Sequence, residues 1–214
     1  MLASMTALSP PSPGAPDSSA AQRILDAAER LFYSRGVQAV GMDMVVAEAG
    51  VGLKTLYANF GSKGQLVEAY LRRRNQRWLD RLRGRIAQRQ GRDRVLTVFD
   101  ALGDWFAGPG FNGCAFINAA GELHTNPAAR AIAREHKQSV RALLQQAARD
   151  AAVTDPDTLA DRLMLLAEGA IVTAYVEGDK LAAVRARSAA AALLDCACQA
   201  AAGQAPIRAA DRLQ

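Results

Sequence analysis

The sequence predicts an all-α protein of about nine helices, a three-helix head followed by a larger helical body. Three observations carry this. No segment keeps up the alternation of apolar and polar residues that a half-buried strand requires. The strong turn signals recur at helix-length intervals, with apolar residues between them falling on stripes of helical period. The stretch Ala49–Leu66, AGVGLKTLYANFGSKGQL, sets Gly50 between two short helical patterns, the way a helix-turn-helix reader of DNA is written.

In chain order, residues 1–18 read as a disordered arm. They have no basic flank, and Pro10, Pro11 and Pro13 interrupt any apolar core, so the segment fails as a signal peptide. Ser19 with Gln22 forms a capping-box signature, and Ile24, Leu25, Ala28, Leu31 and Phe32 follow on one stripe, predicting a first helix that ends near Gly36. A second helix runs from Met42 to Ala49, with Met42, Val45, Val46 and Ala49 inward and Gly50 in the turn. A third is expected from Leu53 to Asn59, broken by Phe60 and Gly61. Ser62 then caps a long fourth helix, 63–89, whose Leu66, Ala69, Tyr70 and Leu71 face inward. The head is thus 19–66, and the fourth helix joins it to a body of 67–203.

The body begins with a helix from Arg92 to about Ala107, a GPGFNG loop and a short helix from Cys114 to about His124. Asn126-Pro127 opens a long helix running to about Ala151. After a break at 154–157, two helices follow, about Thr158–Val176 and Leu181–Ala202, with a loose tail at 204–214. The final helix is apolar nearly all round, which predicts burial against both its own domain and a second copy of the chain.

At 214 residues the chain can hold a real core. Its three cysteines form no disulfide framework, which suits a reduced, cytoplasmic protein. The most hydrophobic charge-free run near the C-terminus, 169–176, is far shorter than the roughly 20 residues a membrane span takes, so no membrane is expected as a partner. Net charge is +5, but its distribution says more. Residues 1–71 carry 5 basic and 6 acidic groups, 72–94 carry 10 and 2, and 95–214 carry 11 and 13. A basic belt like 72–94 favours polyanions over neutral partners, or is an arginine-rich solvated helix face.

A recognition helix in the major groove needs small or polar residues on its outer face and phosphate donors at its ends. Thr55 and Tyr57 offer hydroxyls and Asn59 an amide, while Lys54 and Lys63 can meet phosphates, Lys63 at a helix start that already favours an anion. Leu56 and Phe60, four apart, belong to the core. In the body, Trp105, Phe106, Phe111, Cys114, Phe116, Asn118 and Glu122, joined by Tyr175, read either as an apolar pocket with a few polar groups or as ordinary core around a capped short helix. Cys114 and His124 as nucleophile and base are set aside, because ten helical residues separate them by about 15 Å. Cys196 and Cys198 lie about 200° apart around a helix and cannot share a metal; they read as small core residues. No cofactor or metal motif is present in the sequence, and catalysis is not expected.

At this point the residues resemble a family. AGV, TLY, NF, then SK and L, preceded by a helix ending in LF and a short RG break, is similar to the DNA-binding domain of TetR-family transcriptional regulators, over about residues 22–71. GFNGCAFINAAGELHTNP resembles a segment, roughly GC-x-F-x-N-A-x-x-E, of one broad group of their effector domains. The resemblance implies a bacterial, Ω-shaped homodimer, dimerised through its last two helices, that binds a small-molecule effector and is released by it from a palindromic operator. The sequence departs from the family where Gly41 replaces a capping Thr, Gly52 replaces a Ser that caps the recognition helix and touches phosphate, and Asn59 replaces His or Tyr. Lys54, where a small residue is frequent, adds a cation. An all-α carrier or enzyme with a vestigial head is the alternative.

Overall fold

The computed structural model describes residues 20–123 and 126–203, with side chains described through Cys198. The described residues are α-helical without strands: α1 (Ala20–Arg35), α2 (Met42–Ala49), α3 (Leu53–Phe60), α4 (Lys63–Ala87), α5 (Asp93–Ala107), α6 (Ala115–Glu122), α7 (Pro127–Asp150), α8 (Pro156–Val176) and α9 (Ala182–Gly203). The expected arm, the Ser19 cap, His124 and the tail lie outside the described residues.

Three helices, α4, α7 and α8, start where a side chain accepts from free backbone N–H groups. Ser62 Oγ accepts from Gln65 N at the head of α4, and Asn126 Oδ1 accepts from Ala128 N and Ala129 N at the head of α7. Asp155 caps α8 by accepting from Thr158 N, with Pro156 at the first helical position; α8 therefore starts two residues before the sequence reading placed it. Those hydrogen bonds from Thr158 hold the Asp155 carboxyl below the usual carboxylate range. α2 and α3 start on Gly41 and Gly52, both extended and without side-chain caps. Gly50 ends α2 in the left-handed conformation, which lets the chain reverse into α3.

The head packs α1 against α2, α3 and α4 around Ile24, Leu56, Leu66 and Tyr70, with Phe32 and Tyr70 ring centroids 5.7 Å apart. In the body α4, α5, α6, α7 and α8 surround a core built on Phe99, Phe106, Ile132 and Leu144, and α9 closes the far side against α5 and α8. One side of the last two helices has no cover. Leu165, Val172 and Val176 on α8, Leu181 just before α9 and Val184 in its first turn are exposed apolar residues. Cys196 and Cys198, expected in the core, are exposed on α9 because that helix turns only its Ala183, Ala186, Ala190 and Leu194 face inward.

Candidate functional site

Two regions stand out as candidate sites, the outer face of α3 and a cavity in the body. On α3, Leu56 is fully buried and Phe60 half-buried, which fixes the helix by its inner face. Lys54 and Tyr57, three residues apart, therefore point outward together; Tyr57 is 44 % exposed and takes no part in the core packing. Thr55 is half-buried, and its carbonyl accepts from Asn59 Nδ2 at 2.8 Å, so the Asn59 amide nitrogen is turned back onto its own helix. Lys63 stands at the start of α4 with Nζ 3.4 Å from the Gln38 carbonyl oxygen. Gly52 faces open space. At Gly41 a side chain would collide with the Asp43 carboxylate, which lies over the start of α2 where the helix dipole favours an anion.

Because a Cβ at Gly52 would meet nothing, Gly52→Ser is expected to stabilise the fold by about 0.5–1 kcal/mol, through the cap and a less flexible unfolded chain. Melting temperature should rise by a few degrees, and DNA affinity measured by anisotropy should tighten a few-fold from the added hydroxyl.

The basic belt is mostly consumed within the fold. Of its ten arginines eight are ion-paired: Arg72 to Glu135, Arg73 to Asp26 and Glu29, Arg74 and Arg77 to Glu29, Arg83 to Asp80, Arg85 to Asp104, Arg92 to Asp195 and Arg94 to Asp150. The Arg74 guanidinium also lies 3.8 Å over the centroid of the Tyr33 ring. These pairs stitch α4 to α1, α5 and α7, and the start of α5 to α7 and α9, and leave Arg81 and Arg89 outside the ion pairs of the described residues.

The cavity, about 190 Å³, lies between α1, α4, α5, α7 and α8, with the start of α6 as one wall. Trp105, Cys114 and Phe116, named from sequence, line it. Phe106 and Phe111 stand behind that wall, with centroids 5.7 and 5.0 Å from Trp105. Asn118, Glu122 and Tyr175 do not line it. They face the seam between head and body, because α6 turns its 117–118 and 121–122 side outward to α1 and the loop after it. There Glu122 Oε2 accepts from Gln38 N at 2.8 Å, and Gln38 donates its side-chain amide to the Glu122 carbonyl. Tyr33 Oη accepts from Asn112 N and donates to the Gly113 carbonyl, both at 3.0 Å, while Asn112 Nδ2 donates to the Tyr33 carbonyl at 2.6 Å. Asn118 Nδ2 holds the Asn112 carbonyl at 3.0 Å, and the Tyr175 ring covers Gly113, whose φ of +70° suits only glycine there.

Sequence reasoning missed the cavity's other polar groups, which come from distant helices: Glu29, Arg74, Arg77 and Arg81, and His136, Lys137 and Glu168. Lys137 Nζ makes two bonds to Glu168, at 2.6 and 2.7 Å, and lies 3.6 Å from Cys114 Sγ. His136 stacks on Phe116, centroids 3.8 Å apart, with Nδ1 2.8 Å from Asn75 Oδ1; a carbonyl oxygen only accepts, so Nδ1 carries the proton. Burial first, then the positive charges of Lys137 and Arg74, push the His136 pKa down to about 3.

That shift has a signed consequence. Below about pH 6.5 the unfolded chain takes up a proton that native His136 refuses, so stability falls as pH drops from 6.5 towards 3. At pH 5 the loss from this one group is about 2 kcal/mol. Thermal melts at pH 7 and pH 5 should show it, and His136→Gln should flatten the difference.

Among the described residues no group of three or more His, Cys, Asp or Glu side chains could hold a metal, and no helix is long and apolar enough to cross a membrane.

Comparison with known proteins agrees with this geometry. Residues 24–70 match the family described as bacterial regulatory proteins, tetR family, and residues 91–190 match the tetracyclin repressor-like C-terminal domain. A TetR-type transcriptional regulator of Streptomyces avermitilis is 30% identical, with a TM-score of 0.73 over 84% of this chain and 98% of its own. A TetR-family transcriptional regulator of Streptomyces coelicolor is 29% identical, with a TM-score of 0.77 over 84% of this chain and 90% of its own. An HTH-type transcriptional regulator of Mycobacterium tuberculosis is 47% identical over 58 residues, which span 27% of this chain and 29% of that relative. With the reader matched in sequence and both parts matched in fold, the chain belongs to the TetR family of transcriptional regulators, and its head is a DNA-binding helix-turn-helix.

Proposed function

We propose that the protein is a ligand-responsive homodimeric repressor, released from a palindromic operator when a small molecule fills the cavity of the body. One observation carries the ligand response. The stretch 111–122 belongs to both sites: Cys114 and Phe116 form a cavity wall, and Asn112, Gly113 and Glu122 in the same stretch grip Tyr33 and Gln38 of the head. A ligand that pushes the start of α6 acts directly on the base of the reader, and a packed seam with two arrangements turns a small shift into a reorientation.

Dimerisation is supported by the uncovered side of α8 and α9. Leu165, Gly169, Val172 and Val176 fall on one face of α8, at spacings of four, seven and eleven, and Leu165 and Val176 are 75 % and 73 % exposed in the single chain. A two-fold pairing of this face makes a four-helix interface and presents two α3 helices to half-sites about one turn, near 34 Å, apart.

Anisotropy titration of purified protein on the DNA upstream of its own gene tests the reading. Binding should be sequence-specific and should fall steeply with salt, since phosphate contacts dominate. Lys54→Ala should weaken it about tenfold and lower the salt slope by about 1, and Tyr57→Phe should weaken it several-fold, both without a change in melting temperature. Equal binding to scrambled DNA would sink the regulator reading.

A further inference from the structure

We infer that the cavity takes a small aromatic or branched apolar acid, with its carboxylate held by Arg74 and Arg81 on α4 and its body between Trp78, Trp105 and Phe116. The inference rests on reading this cavity as the effector site and adds the chemistry of the effector.

The charges decide the class. The cavity is lined by four cationic side chains, Arg74, Arg77, Arg81 and Lys137, against two carboxylates, Glu29 and Glu168, and the His136 ring is neutral. Lys137 and Glu168 neutralise each other at 2.6 Å. Glu29 is shared: it takes Arg73 at 2.7 Å and Arg77 at 2.9 Å, and Arg74 only at 3.7 Å. Arg81, two turns along α4 from Arg74, is in no ion pair among the described residues. The lining thus carries two positive charges in excess. A cationic ligand finds both carboxylates already engaged, whereas a carboxylate meets planar guanidinium forks that match it in geometry.

The walls decide the body. Trp78 and Trp105 pack at 5.3 Å, and Leu82, Leu102, Val140 and Ile171 complete an apolar chamber. An apolar cavity of about 150 Å³ holds benzene. The 190 Å³ here has room for one ring with a short acidic chain.

The chain has two tryptophans and both line the cavity, so the tryptophan fluorescence of the full-length protein, excited at the red edge where tyrosine does not absorb, reports on it. Titrate phenylacetate and 3-phenylpropionate, with phenylacetamide and phenethylamine as neutral and cationic counterparts. The acids should give saturable changes, with affinity about tenfold or more above the amide and the amine. Arg81→Gln should remove about tenfold of acid affinity and leave the amide unchanged. Amide or amine binding as tight as acid, no loss with Arg81→Gln, or no saturable change with either acid would overturn the inference. Release of operator DNA is read separately. An acid that binds with this preference and does not weaken DNA binding leaves the inference standing and overturns the ligand-responsive reading instead.

Discussion

Replacing Arg73 with alanine is expected to lower stability by about 2 kcal/mol, a fall of several degrees in melting temperature, and to leave the salt slope of DNA binding unchanged. Arg73 is 14 % exposed on its side chain and reaches across from α4 to α1, donating to Asp26 at 2.7 Å, to Glu29 at 2.7 Å and to the Leu25 carbonyl at 2.8 Å. The bonds to Glu29 and the Leu25 carbonyl are part-buried and worth more than those of a surface pair, while the one to the more exposed Asp26 adds less. Glu29 keeps Arg77 and Arg74 after the substitution, which holds the loss below that of a stranded buried charge. From sequence alone Arg73 belongs to a belt that attracts polyanions. If the variant kept its stability and lost one phosphate's worth of salt slope, the belt would be a DNA surface and the internal role of Arg73 would be refuted.

Leu165→Glu is expected to convert the proposed dimer to monomer at micromolar concentration and to weaken binding to the proposed operator by at least 100-fold. Each copy loses the burial of a leucine, about 1.5–3 kcal/mol, and sets a carboxylate in an apolar seam; two-fold symmetry applies the change twice. Leu165 is 75 % exposed in the single chain, so the fold itself should be spared and its helical content kept. Analytical ultracentrifugation with circular dichroism checks both parts. A variant still dimeric would mean that the copies meet through another face.

What was legible in the sequence was local. Ser62, Asn126-Pro127 and the turn glycine Gly50 mark helix ends through chemistry within four residues, and the structure follows them closely. Asp155-Pro156 carries the same signal as Asn126-Pro127, and reading it as a turn instead of a cap accounts for the late start given to α8. The cavity was only partly legible. Trp105, Cys114 and Phe116 sit near one another in the chain, whereas Glu29, Arg81 and Glu168 reach the same space from helices far apart in sequence, and no spacing rule joins them. Glu122 was recognisable as a polar group on the short helix. Its partner, Gln38 N, lies 84 residues away, so its role at the seam could not be read from its own segment. Nothing in the sequence singles out Tyr33, because its hydroxyl meets Asn112 and Gly113, 79 and 80 residues further along the chain.

The central claim is that two copies of α3, spaced by the dimer, read two half-sites, and a footprint of the protein on the DNA upstream of its own gene tests it most directly. The account predicts one protected segment containing an inverted repeat with half-site centres about one helical turn apart, lost on Lys54→Ala at moderate salt. Protection of a single half-site, or none at any salt, would contradict it.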